Sequence, residues 1–373
     1  MNSPLKFQPL PDLPPPSSVV GPVAWVRSNL LSSPFNMLLT AFVLWLIWLI
    51  VPGILNWVLI DAIYAGDTRD ACLGDNATGL CWPYVRAKFH LWIYGRYPLE
   101  ERWRVDLWLA IMLLGIAWLV LPKTSHKKVV GIFMLFIFPV ISFFLLTGGL
   151  GLKSVETSLW GGLMLTLVIA IVGNVVSLPL GIVLALGRQA ENLPALRFMS
   201  IIFIEFWRAV PLITVLFMSS VMLPLFLPEG VNFDNLLRAL VGVTLFTAAY
   251  LAEVVRGGLA AIPKGQYEAA EAMGLSYWRK MRLIILPQAL KISIPGLVNS
   301  FISLLKDTTL VSIIGLLDLL GWVQSTSRGV DWATPVTATS GYFITALMFW
   351  VMCFCMSRYS QGLERKLHTG HKR

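Results

Sequence analysis

Among the ionisable residues that interrupt otherwise apolar runs are Glu205, Arg208, Arg238, Glu253, Arg256, Lys306 and Asp307. A charge surrounded by hydrocarbon is costly, so each is expected to face protein or water, and each is a functional candidate. Glu205 and Arg208 are three residues apart and share a helix face, as do Glu253 and Arg256. An intrahelical ion pair is the simplest reading of both, and for Glu253–Arg256 it is the favoured one. Pro211 follows Arg208 closely; by freeing a carbonyl and kinking its run, it suits a segment that lines a path or moves as a gate. Lys306 and Asp307 are adjacent, splayed by about 100° on a helix. They pair poorly with each other and are expected to contact other helices or a charged solute. Arg238, at the end of its run, is expected to reach the membrane interface.

Other chemistries are missing. There is no Gly-x-x-x-x-Gly-Lys-Ser/Thr loop: the segment Gly148–Ser154 has Leu152 where the second glycine would sit, so the chain lacks that phosphate cradle. No His-Glu-x-x-His, Gly-x-Ser-x-Gly or Cys-x-x-Cys occurs, and His90, His126, His368 and His371 fall in expected loops or tails. No catalytic residue and no metal site is expected. Cys72 and Cys81 could close a disulfide in a short polar loop, or remain two thiols. Cys353 and Cys355 point to different faces of one helix and read as packing. Asn76-Ala77-Thr78 has the form of a glycosylation acceptor, to which a bacterial protein gives no role.

The elements that hold these residues follow from composition. Of 373 residues, 57% are hydrophobic and 13% charged, about half the charged fraction of a soluble domain, which excludes a water-soluble enzyme. A span takes roughly 20 apolar residues. Eight runs qualify: 37–60, 105–121, 129–147, 161–186, 198–227, 236–261, 289–316 and 339–357. The expected fold is therefore an all-α polytopic membrane protein of about eight helices. The segments 1–36, 122–128, 187–197, 256–291 and 357–373 together carry +13, and the intervening segments on the other side carry −3. Both termini are thus expected in the cytoplasm. That asymmetry also accounts for the net charge of +9 without nucleic acid. Residues 1–36 read as a Pro-rich cytoplasmic tail, with Pro9 to Pro16 unable to form a helix interior. The first apolar run is too long and too late for a signal peptide, so it should stay as an anchor.

The segment from Ile262 to Gln288 carries the most information. Pro263 ends one helix; Gln266 to Met273 favour a short second one, and Gly274 suits the left-handed position that stops it. Ala269, Ala270 and Ala272 let a partner approach closely, while Glu268 and Glu271 offer charge to a basic groove, a helix-in-groove mode of docking. The competing reading is a basic amphipathic loop lying on lipid headgroups.

Glu268-Ala269-Ala270, three residues, Gly274, nine residues, then Ile284, one residue and Leu286-Pro287 resembles the coupling-loop signature of ABC importer permeases at every fixed position. Thr247 to Gly258 and Lys306 to Leu310 are similar to the polar amino-acid branch of that family. The resemblance covers 155–365, the last five spans, as a type I permease domain. Residues 37–154, three extra helices with a periplasmic loop at 61–104, resemble the longer membrane subunit of broad-specificity L-amino-acid importers, and 366–373 forms a basic tail.

This resemblance implies a type I importer in the bacterial inner membrane. It would comprise two different homologous permease subunits, two ATPase subunits that use ATP and Mg, and a periplasmic amino-acid-binding protein. No cofactor is bound by this chain, and amino-acid substrate and membrane lipid are its other partners. The helix around Glu268 to Met273 is implied to be the coupling helix, stiffened at both ends by Pro263 and Pro287. A zwitterionic substrate needs an anionic site and a cationic one, and Glu205, Arg208, Lys306 and Asp307 supply both kinds. Two alternatives stand beside this: an ion-coupled secondary transporter, which should show internal repeats that the two halves lack, and an ATPase scaffold without transport.

Overall fold

The computed structural model describes residues 21–74, 77–121, 123–228, 230 and 233–367. The Pro9–Pro16 run, Asn76, His368 and His371 lie outside the described residues. Helices α1 (Pro22–Asn29) and α2 (Pro34–Ile60) lead to α3 (Trp82–Tyr94). The next three are α4 (Leu99–Val120), α5 (Lys127–Thr147) and α6 (Gly162–Arg188). Then come α7 (Pro194–Ala209), α8 (Leu212–Phe226) and α9 (Asn235–Ala260). A short α10 (Lys264–Ala272) precedes α11 (Tyr277–Ile314), α12 (Leu319–Arg328) and α13 (Thr337–Leu367). Among the described residues seven helices are long and apolar enough to span a bilayer, and α7 with α8 makes an eighth region, bent by 101° at its break. The expected single span at 198–227 is thus two helices meeting at Val210–Pro211.

Proline also explains three of the four wide turns among the described residues; the fourth, Asn56–Ile60, precedes no proline. Phe133–Ile137, Met218–Met222 and Met281–Ile285 are π-helical, and each lies two residues before a proline: Pro139, Pro224 and Pro287. A proline has no N–H to return to the carbonyl four residues back, and its ring crowds that carbonyl, so the preceding turn widens.

Small residues set the centre of the bundle. A Cβ on Gly181 of α6 would lie 2.9 Å from the Leu251 Cβ and 3.1 Å from the Ala248 carbonyl oxygen of α9. One on Gly258 of α9 would lie 2.5 Å from the Ala289 carbonyl oxygen of α11. Such close approach is how helices gain contact where lipid removes the hydrophobic drive to associate. A continuous core then joins α4 and α5 to α6, α8, α9 and α11 through Trp108, Phe138, Met164, Ile169, Leu216 and Val243. Trp108 Nε1 donates to Ser142 Oγ at 2.9 Å, and the buried Arg104 bonds the Lys153 carbonyl at 2.7 Å and Glu101 at 2.6 Å. By contrast α2 has no buried residue along its length. Its ties to the rest are at its far end, where Trp57 meets the Phe343 ring at 5.5 Å and accepts from Leu80 N at 3.0 Å.

The two long segments expected as loops both contain helices. In 61–104, α3 starts at Trp82 with Pro83 in its first turn and stops before Gly95, φ +63°; His90 therefore sits on a helix rather than in a loop. In 317–338, Asp318 caps α12 by accepting from Gly321 N at 2.8 Å. Leu319, Trp322 and Val323 recur at helical spacing and bury against α3. Together α3 and α12 form a cap over one end of the bundle; the 261–285 loop occupies the other. Cys72 and Cys81 are joined by a disulfide and buried. Cys81 N donates to Ser340 Oγ of α13 at 2.9 Å, and Tyr84 Oη lies 2.9 Å from Thr326 Oγ1. The 61–104 segment is thereby packed onto the C-terminal half. At the other end α13 runs to Leu367, two residues into the expected tail.

Candidate functional site

Helix α10 is built as its residues dictate. Pro263 occupies the N-cap, and Gly274 takes φ +70°, a conformation that is unstrained for glycine. Leu275 N returns to the Ala270 carbonyl at 3.2 Å and closes the helix end. Ala270 is fully buried, whereas Glu268, Ala269 and Glu271 face outward beside Met273 and Trp278, 67% and 71% exposed. Both flanks are tied down. Tyr267 Oη donates to the Leu259 carbonyl of α9 at 3.4 Å, and Gln266 Oε1 accepts from Gln288 of α11 at 3.3 Å. Lys280 pairs with Glu271 and lies 5.7 Å from the Tyr267 ring. Burial pushes the Tyr267 hydroxyl above its ordinary pKa, so it stays a donor at neutral pH. Ile284, Leu286 and Pro287 begin the return into the bundle. The loop is a stiff hairpin of short helices between two spans, with one outward face that is acidic and apolar.

Glu205, Arg208, Glu253 and Arg256 gather, together with Arg188, into one cluster at this same end. Glu253 is its centre. Its Oε1 accepts from Arg188 Nη1 of α6 at 2.8 Å, its Oε2 from Arg256 Nη2 at 2.9 Å, and Arg208 Nη1 of α7 stands 3.7 Å from Oε2. Glu205 Oε1 accepts from the same Arg188 nitrogen at 2.9 Å. The expected Glu253–Arg256 pair is present; Glu205 and Arg208, expected to pair with each other, instead bridge to different helices. The reason is geometric: Arg188, the last residue of α6, reaches between them and satisfies two carboxylates at once. Sequence reasoning placed Arg188 in a loop, and its partners 17 and 65 residues away leave no local signal.

Arg238 also departs from expectation. It turns inward from α9 and donates to the Ser220 carbonyl of α8, the carbonyl that Pro224 cannot serve. Among the described residues it is the one charged residue lining an apolar cavity of about 540 Å³ between α7, α8 and α9, with Trp207, Met218, Leu237 and Val241. Lys306 is exposed and Asp307 half-buried near the opposite end of α11, and among the described residues neither has an ion-pair partner within 4 Å. The four expected path residues therefore lie at two levels, Glu205 and Arg208 in the cluster, Lys306 and Asp307 apart from it.

Comparison with known proteins decides the family. Residues 177–369, which include α10, the whole charged cluster and the Lys306–Asp307 pair, match the family model described as binding-protein-dependent transport system inner membrane component. The chain is 53% identical over 352 residues to the inner membrane amino-acid ABC transporter permease protein YhdY of Escherichia coli, covering 93% of this chain and 94% of that one. The chain belongs to this family of inner membrane transport components. It is also 40% identical to the glutamate/glutamine/aspartate/asparagine transport system permease protein BztC of Rhodobacter capsulatus, covering 96% of both. Among solved structures, the crystal structure of an amino acid ABC transporter with histidines matches at 29% identity and a TM-score of 0.49, over 55% of this chain and 92% of that one. As a member of the family, the protein is a multi-pass inner-membrane permease and the non-catalytic subunit of an ABC transporter. Permeases of this kind work with an ATPase and a binding protein. Both long relatives align across the N-terminal third as well, so the extra helices α2, α4 and α5 belong to a shared longer form.

Proposed function

We propose that this chain is one of two different membrane subunits of an importer for L-amino acids, with both termini in the cytoplasm and two ATPase copies beneath the α10 loop. A periplasmic amino-acid-binding protein delivers substrate at the cap end, and ATP and Mg are held by the ATPase. The observation that carries this reading is α10 itself, a short helix fixed at both flanks that presents Glu268 and Ala269 outward beside Met273 and Trp278. Such an element transmits a push from below into α9 and α11, because it has no slack to absorb it. The substrate class rests on the two long relatives, one named as an amino-acid permease and the other for glutamate, glutamine, aspartate and asparagine. The charge asymmetry of the loops supports the orientation.

Glu268, Ala269, Ala270, Gly274, Ile284, Leu286 and Pro287 form the coupling loop in this reading. Glu205 and Arg208 line the path at its inner level and Lys306 and Asp307 at its outer level, where adjacent cationic and anionic groups meet a zwitterion in turn. The test is purification of the tagged protein in mild detergent beside a Glu268→Lys version, followed by uptake of labelled amino acids in reconstituted vesicles. An ATPase and a second permease should accompany the wild type and be lost from the variant, and uptake should require ATP. A protein that purifies alone and takes up substrate without ATP would overturn the reading.

A further inference from the structure

The charged cluster holds more pairing options than one arrangement uses. In the structure α7 is tied to its neighbours by two ion pairs, Glu205 to Arg188 of α6 and Arg208 to Glu253 of α9. Arg208 stands in the last turn of α7, directly before the 101° break into α8. Glu205 and Arg208 are also three residues apart on one helix and can pair with each other. If α7 moves off α9, Arg208 exchanges Glu253 for Glu205. Arg188 keeps its second carboxylate, Glu253, at 2.8 Å, and Arg256 keeps its own bond to Glu253. Every guanidinium has a carboxylate in both arrangements, so the hinge can open without leaving a bare charge beside hydrocarbon. A purely structural tie has no need of that second set of partners, since apolar packing fastens helices as well as a buried ion pair does.

We infer that Arg208 is an exchangeable latch: paired with Glu253 it docks the hinge of α7–α8 on α9, and paired with Glu205 it releases it. Glu253 and Arg188 are the positioning residues of the docked state. Glu253 lies seven residues before the end of α9, which leads through Pro263 into α10. Displacement of the coupling loop therefore acts on the helix that carries the latch, and the broken span α7–α8 is the element set free. This inference rests on the coupling role proposed for α10, but its geometric content is a property of the chain alone.

The variants separate the two arrangements. Glu253→Gln removes the carboxylate that Arg208 and Arg256 share, leaving Arg208 only the Tyr250 ring of α9, 5.7 Å away, so repulsion between the two guanidinium groups favours movement of α7 away. Glu205→Gln removes the partner of the released state, so Arg208 stays with Glu253. Spin labels at Ile202→Cys on α7 and Ala260→Cys on α9, with Cys353 and Cys355 replaced by Ser, report the separation in the reconstituted complex with and without an ATP analogue. Wild type should show a nucleotide-dependent mixture of a short and a long distance. Glu253→Gln should hold the long one and Glu205→Gln the short one in both conditions, and each should lower substrate moved per ATP by about fivefold or more. Shifts in the same direction, or none, would overturn the exchange. Should Glu253→Gln fail to reach the membrane, Glu205→Gln decides alone: its side chain is 55% exposed, and a lengthened distance there sinks the inference. Recovery of the ATPase with wild type is scored separately and reports on the coupling role rather than on the latch.

Discussion

Arg238 shows how one residue repairs what another breaks. Pro224 leaves the Ser220 carbonyl without its helical donor, and Arg238 supplies one from α9. Arg238→Met keeps the apolar stem but strands that carbonyl, and should lower stability by about 1–3 kcal/mol, measured as thermal unfolding in detergent. An unchanged midpoint would mean that water or a neighbouring turn serves the carbonyl. Asp318 is the second case. It is fully buried at the start of α12, and burial pushes its carboxyl from 3.8 up to about 6 while Gly321 N–H partly opposes this. A raised folded-state pKa favours the protonated form, so its contribution to stability is unimpaired below pH 4 and declines as pH rises to 6. The full loss is on the order of 3 kcal/mol. Asp318→Asn keeps an acceptor for Gly321 and should unfold at a higher temperature than wild type at pH 7.5, with the difference vanishing at pH 4. A constant offset at both values would locate the effect outside ionisation. Neither role was legible in the chain: Arg238 was expected at the interface, because only the folded packing sets the Ser220 carbonyl beside it. Glu253–Arg256, by contrast, was legible, since its geometry is local.

At the scale of elements, local signals were the ones that survived. Pro263, the alanines and Gly274 specify α10 within one turn of where it forms, and the eight apolar runs correspond to the spanning regions. What escaped was α3 and α12, too short and too polar for a span and identifiable only by the partner each covers, and the sharp break at Pro211, where a kink was expected. The close contact of α9 with α11 was equally invisible, and it yields a paired prediction. A Cβ on Gly258 would lie 2.1 Å from Ser293 Oγ and 2.5 Å from the Ala289 carbonyl oxygen, whereas one on Gly257 meets nothing within 4 Å. Gly258→Ala must part the two helices that bracket α10, at about 1–3 kcal/mol, and should reduce ATP-driven uptake as well as thermal stability. Gly257→Ala should be neutral or stabilising by up to about 1 kcal/mol, because alanine is the better helix former. If both substitutions destabilise alike, the spacing of α9 and α11 is not set at Gly258.

On the scale of the whole molecule, the N-terminal third is attached in two different ways. Helices α4 and α5 share the main core with α6, α8 and α9, while α2 stands outside it and is held through the cap. The cap in turn is held by Tyr84 on Thr326, by Cys81 N on Ser340, and by the Lys88–Asp331 pair. Burial raises the Tyr84 hydroxyl to about 12, so its bond persists across all pH values at which the protein would be handled. Lys88 holds the Asp331 carboxyl below its usual range, so that pair is lost only as pH falls through the folded-state value, below 3.8. The disulfide between Cys72 and Cys81 closes a loop of sequence separation 9 at the root of this cap, worth roughly 2–3 kcal/mol by loop closure. Replacing both cysteines by serine should therefore loosen the cap while leaving the main core intact. Cleavage by a soluble protease within 61–104 should accelerate about tenfold or more, with α2 released from the remainder. The midpoint of the main unfolding transition should move little, because no residue of the disulfide loop belongs to the core around α6 and α9. Equal cleavage rates would show that α3 is fastened by α12 and α13 alone; a collapse of the main transition would show that cap and bundle fold as one unit.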